Sequence, residues 1–167
     1  MTHASMVDIA YNWLLKAKRC SFALRELRHL GDTKEIPDCI GFRIGYGRDA
    51  SILVECKLSR EDFLADARKG FRRLPETGMG AYRFYLAPEG VIAPADLPPR
   101  WGLVLADARG RARQVVGPAG NAWSFSGADF LFSQRNLEAE WGLLASALRR
   151  VHVRGELEKI YDASNLP

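Results

Sequence analysis

Between Ser5 and Lys18 the apolar residues Ile9, Trp13, Leu14 and Ala17 recur at spacings of three and four. This predicts an amphipathic helix with Ser5 as its N-cap and the basic "KAKR" at its C-terminal end. In "SFALRELRHL", Phe22 and Leu24 fit alternation while Leu24, Leu27 and Leu30 fit helical spacing, and the reading adopted is a strand. Turn residues in "GDTKEIP" lead into the alternating "DCIGFRIGY", and "GRDA" turns the chain again.

"SILVECKL" reads as a strand rich in Ile, Leu and Val, and Ser59 opens a helix with Glu61 and Asp62 in its first turn and Phe63, Leu64 and Ala67 following. That helix is expected to end near Gly70 or soon after. The loop "RLPETGMG", the strand "AYRFYLAP", the proline-rich connection "EGVIAPADLPPR", the strand "WGLVLAD" and a turn into "RARQVV" complete the middle of the chain. A Gly/Ser-rich link, "GPAGNAWSFSGADF", precedes a long amphipathic helix from Ser133 to Val153. Its stripe of Leu137, Trp141, Leu144, Ala145 and Leu148 is expected to pack back on the sheet.

The order helix, three strands, helix, further strands implies an α/β fold with a mixed central sheet flanked by helices and a long C-terminal helix. At 167 residues, 47% apolar and 26% charged, the chain fits one domain over 1–167, with 117–167 as a helical extension. No apolar run approaches the roughly 20 residues that cross a bilayer, so no membrane partner and a cytoplasmic location are expected. Three cysteines, Cys20, Cys39 and Cys56, without a CxxC pair suggest neither a disulfide framework nor a zinc site. A net charge of +4, with a pI near 9.1, biases the chain mildly toward anionic partners.

The candidate chemistry lies where the apolar "ILV" run ends. Alternation puts Glu55 and Lys57 on one face of their strand and Val54 and Cys56 on the other. If the preceding strand pairs with this one as a hairpin, Asp38 lies beside Glu55 on that same face, with Cys39 on the opposite one. Adjacent carboxylates repel unless a cation sits between them, and oxygen ligands favour Mg2+ or Mn2+ over zinc. The backbone carbonyl of Cys56 is a third candidate ligand. Lys57 would orient or deprotonate a water, or stabilise negative charge building on a phosphate, which is phosphodiester hydrolysis chemistry. The competing reading is an ordinary ion pair between Glu55 and Lys57 in a structural domain.

Pro37-Asp38 and Glu55-Cys56-Lys57, with the apolar run before Glu55 and the helix after Lys57, resemble the motif of the PD-(D/E)XK nuclease superfamily. Its helix, three-stranded meander, helix, strand order is similar to the order read from Ser5 to Pro88. Within the superfamily, "VECKLSREDFLADARKGFR", "YRFYLAP" and "WGLVLADARGRA" are similar to the MmcB-like group of DNA-repair nucleases and to phage and prophage proteins. The resemblance covers most of Ser21 to Val116 and implies a restriction-endonuclease-like core. It also implies metal binding by Asp38 and Glu55 and assistance to hydrolysis by Lys57. An additional acid often completes such a site, and Glu26 is the candidate, set against a plain solvent-facing glutamate beside Arg25 and Arg28. The helix "SREDFLADARKG" departs from the pattern, with no glutamine or lysine in its first turn, which puts substrate geometry in doubt.

Arg60, Lys69, Arg72, Arg73 and Arg83 are the candidate nucleic-acid contacts, through phosphates rather than bases. The competing reading for the helix itself is a solubilised face. Arg149, Arg150 and Arg154 form a second cluster that a helix C-terminus already favours, and His29 and His152 have no metal or triad spacing. Tyr82, Phe84 and Tyr85 read as core rather than as a stacking platform, and "GFRIGYG" and "GPAGNAWSFSG" as turns rather than phosphate loops. The expectation is a Mg2+- or Mn2+-dependent DNA endonuclease in DNA repair or phage biology. The alternative is a catalytically silent DNA-binding accessory module of the same fold. The sequence leaves the oligomeric state open, a homodimer included.

Overall fold

The computed structural model describes residues 1–29, 35–45, 50–118 and 128–162. Most of the turn at 31–37, residues 47–49 of the "GRDA" turn and most of the link at 117–130 lie outside the described residues. The order is α1 (His3–Lys16), β1 (Phe22–Arg25), β2 (Cys39–Arg43), β3 (Ala50–Cys56), α2 (Arg60–Asp66), α3 (Gly70–Arg73), β4 (Tyr82–Pro88), β5 (Trp101–Ala106), β6 (Ala112–Val116) and α4 (Leu137–Val153). The six strands form one open mixed sheet in sequence order. Antiparallel pairing joins β1, β2 and β3, parallel pairing joins β3, β4 and β5, and β6 returns antiparallel. Among the described residues no helix is long and apolar enough to cross a membrane.

Helices cover both faces, which is why the inner strands read as continuous apolar runs. On one face, Met6, Ala10, Trp13 and Leu14 of α1 pack on Cys39, Ile52, Val54, Cys56, Phe84, Leu86 and Val104. On the other, Phe63 of α2 and Ala139 and Leu143 of α4 pack on Ile40, Leu53, Tyr85, Trp101 and Leu103. The alternation of β3 assigns Ile52, Val54 and Cys56 to the α1 side and Leu53 and Glu55 to the α2 side. Tyr82 and Phe84 likewise face α1 while Tyr85 faces α2, all three in the core as read from the sequence.

Three local expectations need correction. The N-cap of α1 is Thr2, not Ser5. Ser5 sits at the third helical position and completes a reciprocal capping pair, its N–H donating to Thr2 Oγ1 while its own Oγ accepts from Thr2 N–H. The helix after Lys57 ends at Asp66 rather than near Gly70. Lys69 is extended (ψ 141), so the chain turns into the separate α3 and brings Arg72 back against Asp66.

The third correction concerns α4, whose N-cap is Asn136. The buried residues are Ala139, Glu140, Leu143 and Ser146, whereas Leu137, Trp141 and Leu148 of the expected stripe face outward, Trp141 with 72% of its surface exposed. Glu140 fixes this orientation. Its Oε1 accepts from Ser51 Oγ at 2.7 Å, from the Gly80 N–H at 2.8 Å and from Arg135 Nε at 3.0 Å. A buried carboxylate with three donors outweighs the apolar area of the opposite stripe, since turning it away would orphan several buried polar groups. Gly80 meets this contact with φ +91, and a Cβ there would lie 2.7 Å from Leu53 Cβ.

Candidate active site

The β2–β3 register pairs Cys39 with Val54, so Asp38, the residue before β2, stands at the position opposite Glu55. One contact ties them further: the main-chain N–H of Cys56 donates to Asp38 Oδ2 at 2.7 Å. Lys57 follows directly, its own N–H bound to the Leu86 carbonyl of β4 at 2.9 Å. The fold therefore brings Glu55 and Lys57 together on the α2 side of the sheet, with Asp38 beside Glu55 at the strand end and its Oδ1 toward His3 of α1. Lys57 Nζ lies 3.6 Å from Glu55 Oε2, 3.3 Å from Asp66 Oδ1 and 4.0 Å from Asp62 Oδ1.

Behind this trio lies a charge network that the sequence reading did not anticipate. Asp66 accepts from Arg72 Nε at 2.7 Å and from the Tyr85 hydroxyl at 2.9 Å, and pairs with Lys69 at 2.7 Å. Arg72 reaches Glu35 Oε1 through Nη1 at 2.6 Å, and Glu35 Oε2 accepts from the Met79 N–H at 2.6 Å. The Nη2 of Arg72 approaches Glu55 Oε1 to 3.0 Å without hydrogen-bond alignment, so both atoms are buried without a hydrogen-bond partner. Arg72 also stands over the faces of Phe71 and Trp101, at 4.7 and 4.8 Å from the ring centroids.

Burial and the neighbouring charges compete at every group here. Glu55, with 2% of its surface exposed, is pushed up to about 7 by desolvation, which Arg72 and Lys57 oppose and Asp38 reinforces. Burial also raises Asp38, against the Cys56 N–H and the Lys57 charge. For Asp66, burial is outweighed by Arg72, Lys57 and Lys69, which hold its carboxyl well below the usual carboxylate range. Burial works against the charge of Lys57, yet Glu55, Asp66, Asp62 and Asp38 hold it above the ordinary lysine value. Lys57 is thus a fixed ammonium. Five acids, Glu35, Asp38, Glu55, Asp62 and Asp66, surround three cations, Lys57, Lys69 and Arg72, so acidic groups outnumber basic ones, with Glu55 only partly ionised near neutral pH.

Glu26 stands just past β1 with φ +46 and a side chain 56% exposed. Its N–H donates to the Asp38 carbonyl at 3.1 Å, and its carboxylate lies 3.4 Å from His3 Nε2, which is itself 3.5 Å from Asp38 Oδ1. Glu26 therefore reaches the solvent side of Asp38 through His3, a residue missed in the sequence because nothing in its spacing marks it. Asp66 is likewise missed, although its place three residues after Phe63 on the apolar stripe of α2 is a signal of a buried partner.

The donors available to an ion are hard oxygens: the Asp38 and Glu55 carboxylates and the Cys56 main-chain carbonyl. Among the described residues no three His, Cys, Asp or Glu side chains converge as a metal cluster, so two side chains, one carbonyl and water would form the shell. A set of hard oxygen donors in a cluster where acids outnumber bases fits a hard divalent cation, although Glu55 Oε1 already faces Arg72 Nη2 at 3.0 Å.

Two of the five expected nucleic-acid contacts are corrected. Arg72 is locked in the network above, its side chain 3% exposed. Arg83 is buried as well, donating to the carbonyls of Gly80, Pro75 and Gly78 at 3.1, 2.7 and 2.9 Å with its guanidinium over Phe132. It holds the 75–80 loop instead of a ligand. The other three reach the surface: Arg60 in a two-pronged pair with Asp96, Lys69 beside Asp66, and Arg73 exposed. Arg68 adds a fourth exposed cation between the site and α3.

No family model matches the chain, and no curated protein does. Among solved structures, a protein of unknown function from Silicibacter pomeroyi is similar over 87% of this chain and 83% of its own, at 23% identity and a TM-score of 0.47.

Proposed function

We propose that this chain is a Mg2+- or Mn2+-dependent endonuclease acting on DNA, with a restriction-endonuclease-like core. The observation that carries the reading is the β2–β3 register, which sets Asp38 opposite Glu55 beside Lys57, in a site where acids outnumber bases. Asp38, Glu55 and the Cys56 carbonyl would hold the ion. When bound, the ion would supply Lewis-acid activation of water and neutralise charge on the scissile phosphate. Lys57, kept protonated by four carboxylates, serves as a charge that stabilises a developing phosphorane-like oxyanion rather than as a base. Glu55 and Asp66 position its ammonium from two sides. Arg68, Lys69 and Arg73 are exposed on the segment from α2 into α3, which carries the site's Asp66 and Arg72, and would contact phosphates without reading bases.

A second reading, a catalytically silent DNA-binding accessory module, is favoured by one contact. Arg72 already stands 3.0 Å from Glu55 and supplies that carboxylate with an internal counter-cation. The experiment that decides is cleavage of linear, nicked, branched and single-stranded DNA with magnesium, manganese or EDTA, comparing wild type with Asp38→Ala and Lys57→Ala. Metal-dependent cutting lost in both variants supports the nuclease. Salt-dependent binding with no cutting by the wild type on any substrate supports the accessory module.

A further inference from the structure

Helix α4 carries two apolar stripes, and only one is used. Ala139 and Leu143 enter the core, whereas Leu137, Trp141 and Leu148 are 59%, 72% and 50% exposed, with Leu144 and Val151 half-buried beside them. Leu137, Trp141, Leu144, Leu148 and Val151 follow one another at spacings of four, three, four and three, the repeat with which a helix meets another helix along a seam, Leu144 also touching the core on its inner side. Four of the exposed large apolar residues in the described chain, Leu137, Trp141, Leu148 and Val153, belong to this helix. Ile44, 62% exposed at the end of β2, extends the patch, and Phe42 and Ile44 form a shallow cavity with Leu137, Trp141 and Leu144. A contiguous apolar patch of this kind, unlike single exposed apolar residues elsewhere, marks an interface.

The charges on the helix identify its occupant. Glu138 opens the helix, while Arg149 and His152 close it on the same flank, one step around from the apolar seam. Two parallel copies would put this flank on opposite sides of the seam, so Glu138 of one would meet neither Arg149 nor His152 of the other. Two antiparallel copies, centred near the small Ala145, set Glu138 of each beside Arg149 and His152 of the other, with Trp141 across from Leu148 and Val151. Antiparallel pairing also opposes the helix dipoles. A face complementary to itself under a two-fold rotation is what an isologous dimer requires.

We propose that the outward stripe of α4 is the interface of a homodimer in which the two α4 helices pack antiparallel. Trp141 is its anchor, as large aromatic residues at the centre of such patches commonly are. The seam lies on a surface of α4 that makes no contact with Asp38, Glu55 or Lys57, so the inference stands independently of the catalytic reading.

Sedimentation equilibrium of the full chain from about 1 to about 100 µM tests it, because a self-association must respond to protomer concentration. The wild type is expected to approach twice the chain mass. Trp141→Glu and Leu148→Glu, at positions too exposed to be needed for folding, should each weaken association at least tenfold with unchanged far-UV circular dichroism. Glu138→Arg and Arg149→Glu should each weaken it, and the double variant should recover it. A wild type that stays monomeric throughout overturns the inference and assigns the stripe to a different partner. A dimer insensitive to both apolar substitutions, or a charge exchange that fails to restore association, overturns it as well.

Discussion

Asp66 Oδ2 accepts the Nε–H of Arg72 at 2.7 Å, with both side chains sealed beneath α2 and the sheet. Arg72 stands at the same time against Glu35 and Glu55, so three carboxylates depend on one guanidinium. Removing one partner of a buried ion pair leaves uncompensated charge, at a cost of about 3–5 kcal/mol. Arg72→Met is therefore expected to lose about that much stability in urea denaturation. Arg72→Lys should recover little of it, because an ammonium cannot serve Asp66 and Glu35 through separate nitrogens.

At the candidate metal ligands, the expectation is a thermal shift. An ion that binds only the folded chain raises Tm with its concentration. Magnesium should raise the Tm of the wild type and leave that of Asp38→Asn unchanged. The measurement is a thermal melt across a magnesium titration with EDTA as the zero point. A shift of equal size in both proteins would remove Asp38 from the ligand set.

Lys57→Met should lower cleavage by roughly 10²–10³-fold, the usual loss for one electrostatic stabiliser. It should leave the magnesium-induced thermal shift in place, since Lys57 is not a ligand. Because Lys57 is also paired with Asp66, its cleavage is compared with the wild type well below the melting temperature of both proteins.

Arg83 and Arg73 should separate structure from binding. Arg83→Met orphans two buried carbonyls, those of Gly78 and Gly80, and the half-buried one of Pro75, and is expected to destabilise the fold by about 2 kcal/mol, leaving the salt dependence of DNA binding unaltered. Arg73→Ala should leave stability unchanged and reduce the slope of log K against log salt by about one. Fluorescence anisotropy with labelled DNA at several salt concentrations reads both.

Alkaline stability follows from the buried thiols. Desolvation pushes Cys20 and Cys39 from 9.0 up to about 12, Arg43 and Lys18 opposing it at Cys20 and Arg25 at Cys39. Between these values the unfolded chain releases both protons and the folded chain keeps them, so the folded state binds more protons and stability falls as pH rises. The slope is at most about 1.4 kcal/mol per pH unit for each thiol. Lys18, lowered from 10.5 to about 8 by burial, acts in the opposite sense between those values. Urea denaturation between pH 8 and pH 11 should show a shallower decline for Cys39→Ala than for the wild type.

The sequence by itself determined the elements and their faces wherever a local rule sufficed. Period-two alternation put Glu55 and Lys57 on one side of β3 and Cys56 on the other, and apolar runs bounded by turn residues located β2 to β5, whereas β1 fitted strand and helix alike and β6 was marked only by the turn before it. Asp38 beside Glu55 was also legible, because an antiparallel neighbour with the motif at its start admits few registers. Tertiary structure alone decided which charges are buried and how they pair. Arg72 and Arg83 look like Arg73 in sequence, and only the turn at Lys69 and the carbonyls of the 75–80 loop take them out of solvent. His3 meets Asp38 only because α1 crosses the sheet above it. On α4 two stripes satisfied the same helical period, and the choice between them fell to Glu140, whose donors Ser51 and Gly80 lie 89 and 60 residues away. Periodicity fixes which residues share a face. It does not fix which face finds a partner, because that depends on hydrogen bonds between groups that only the folded chain brings together.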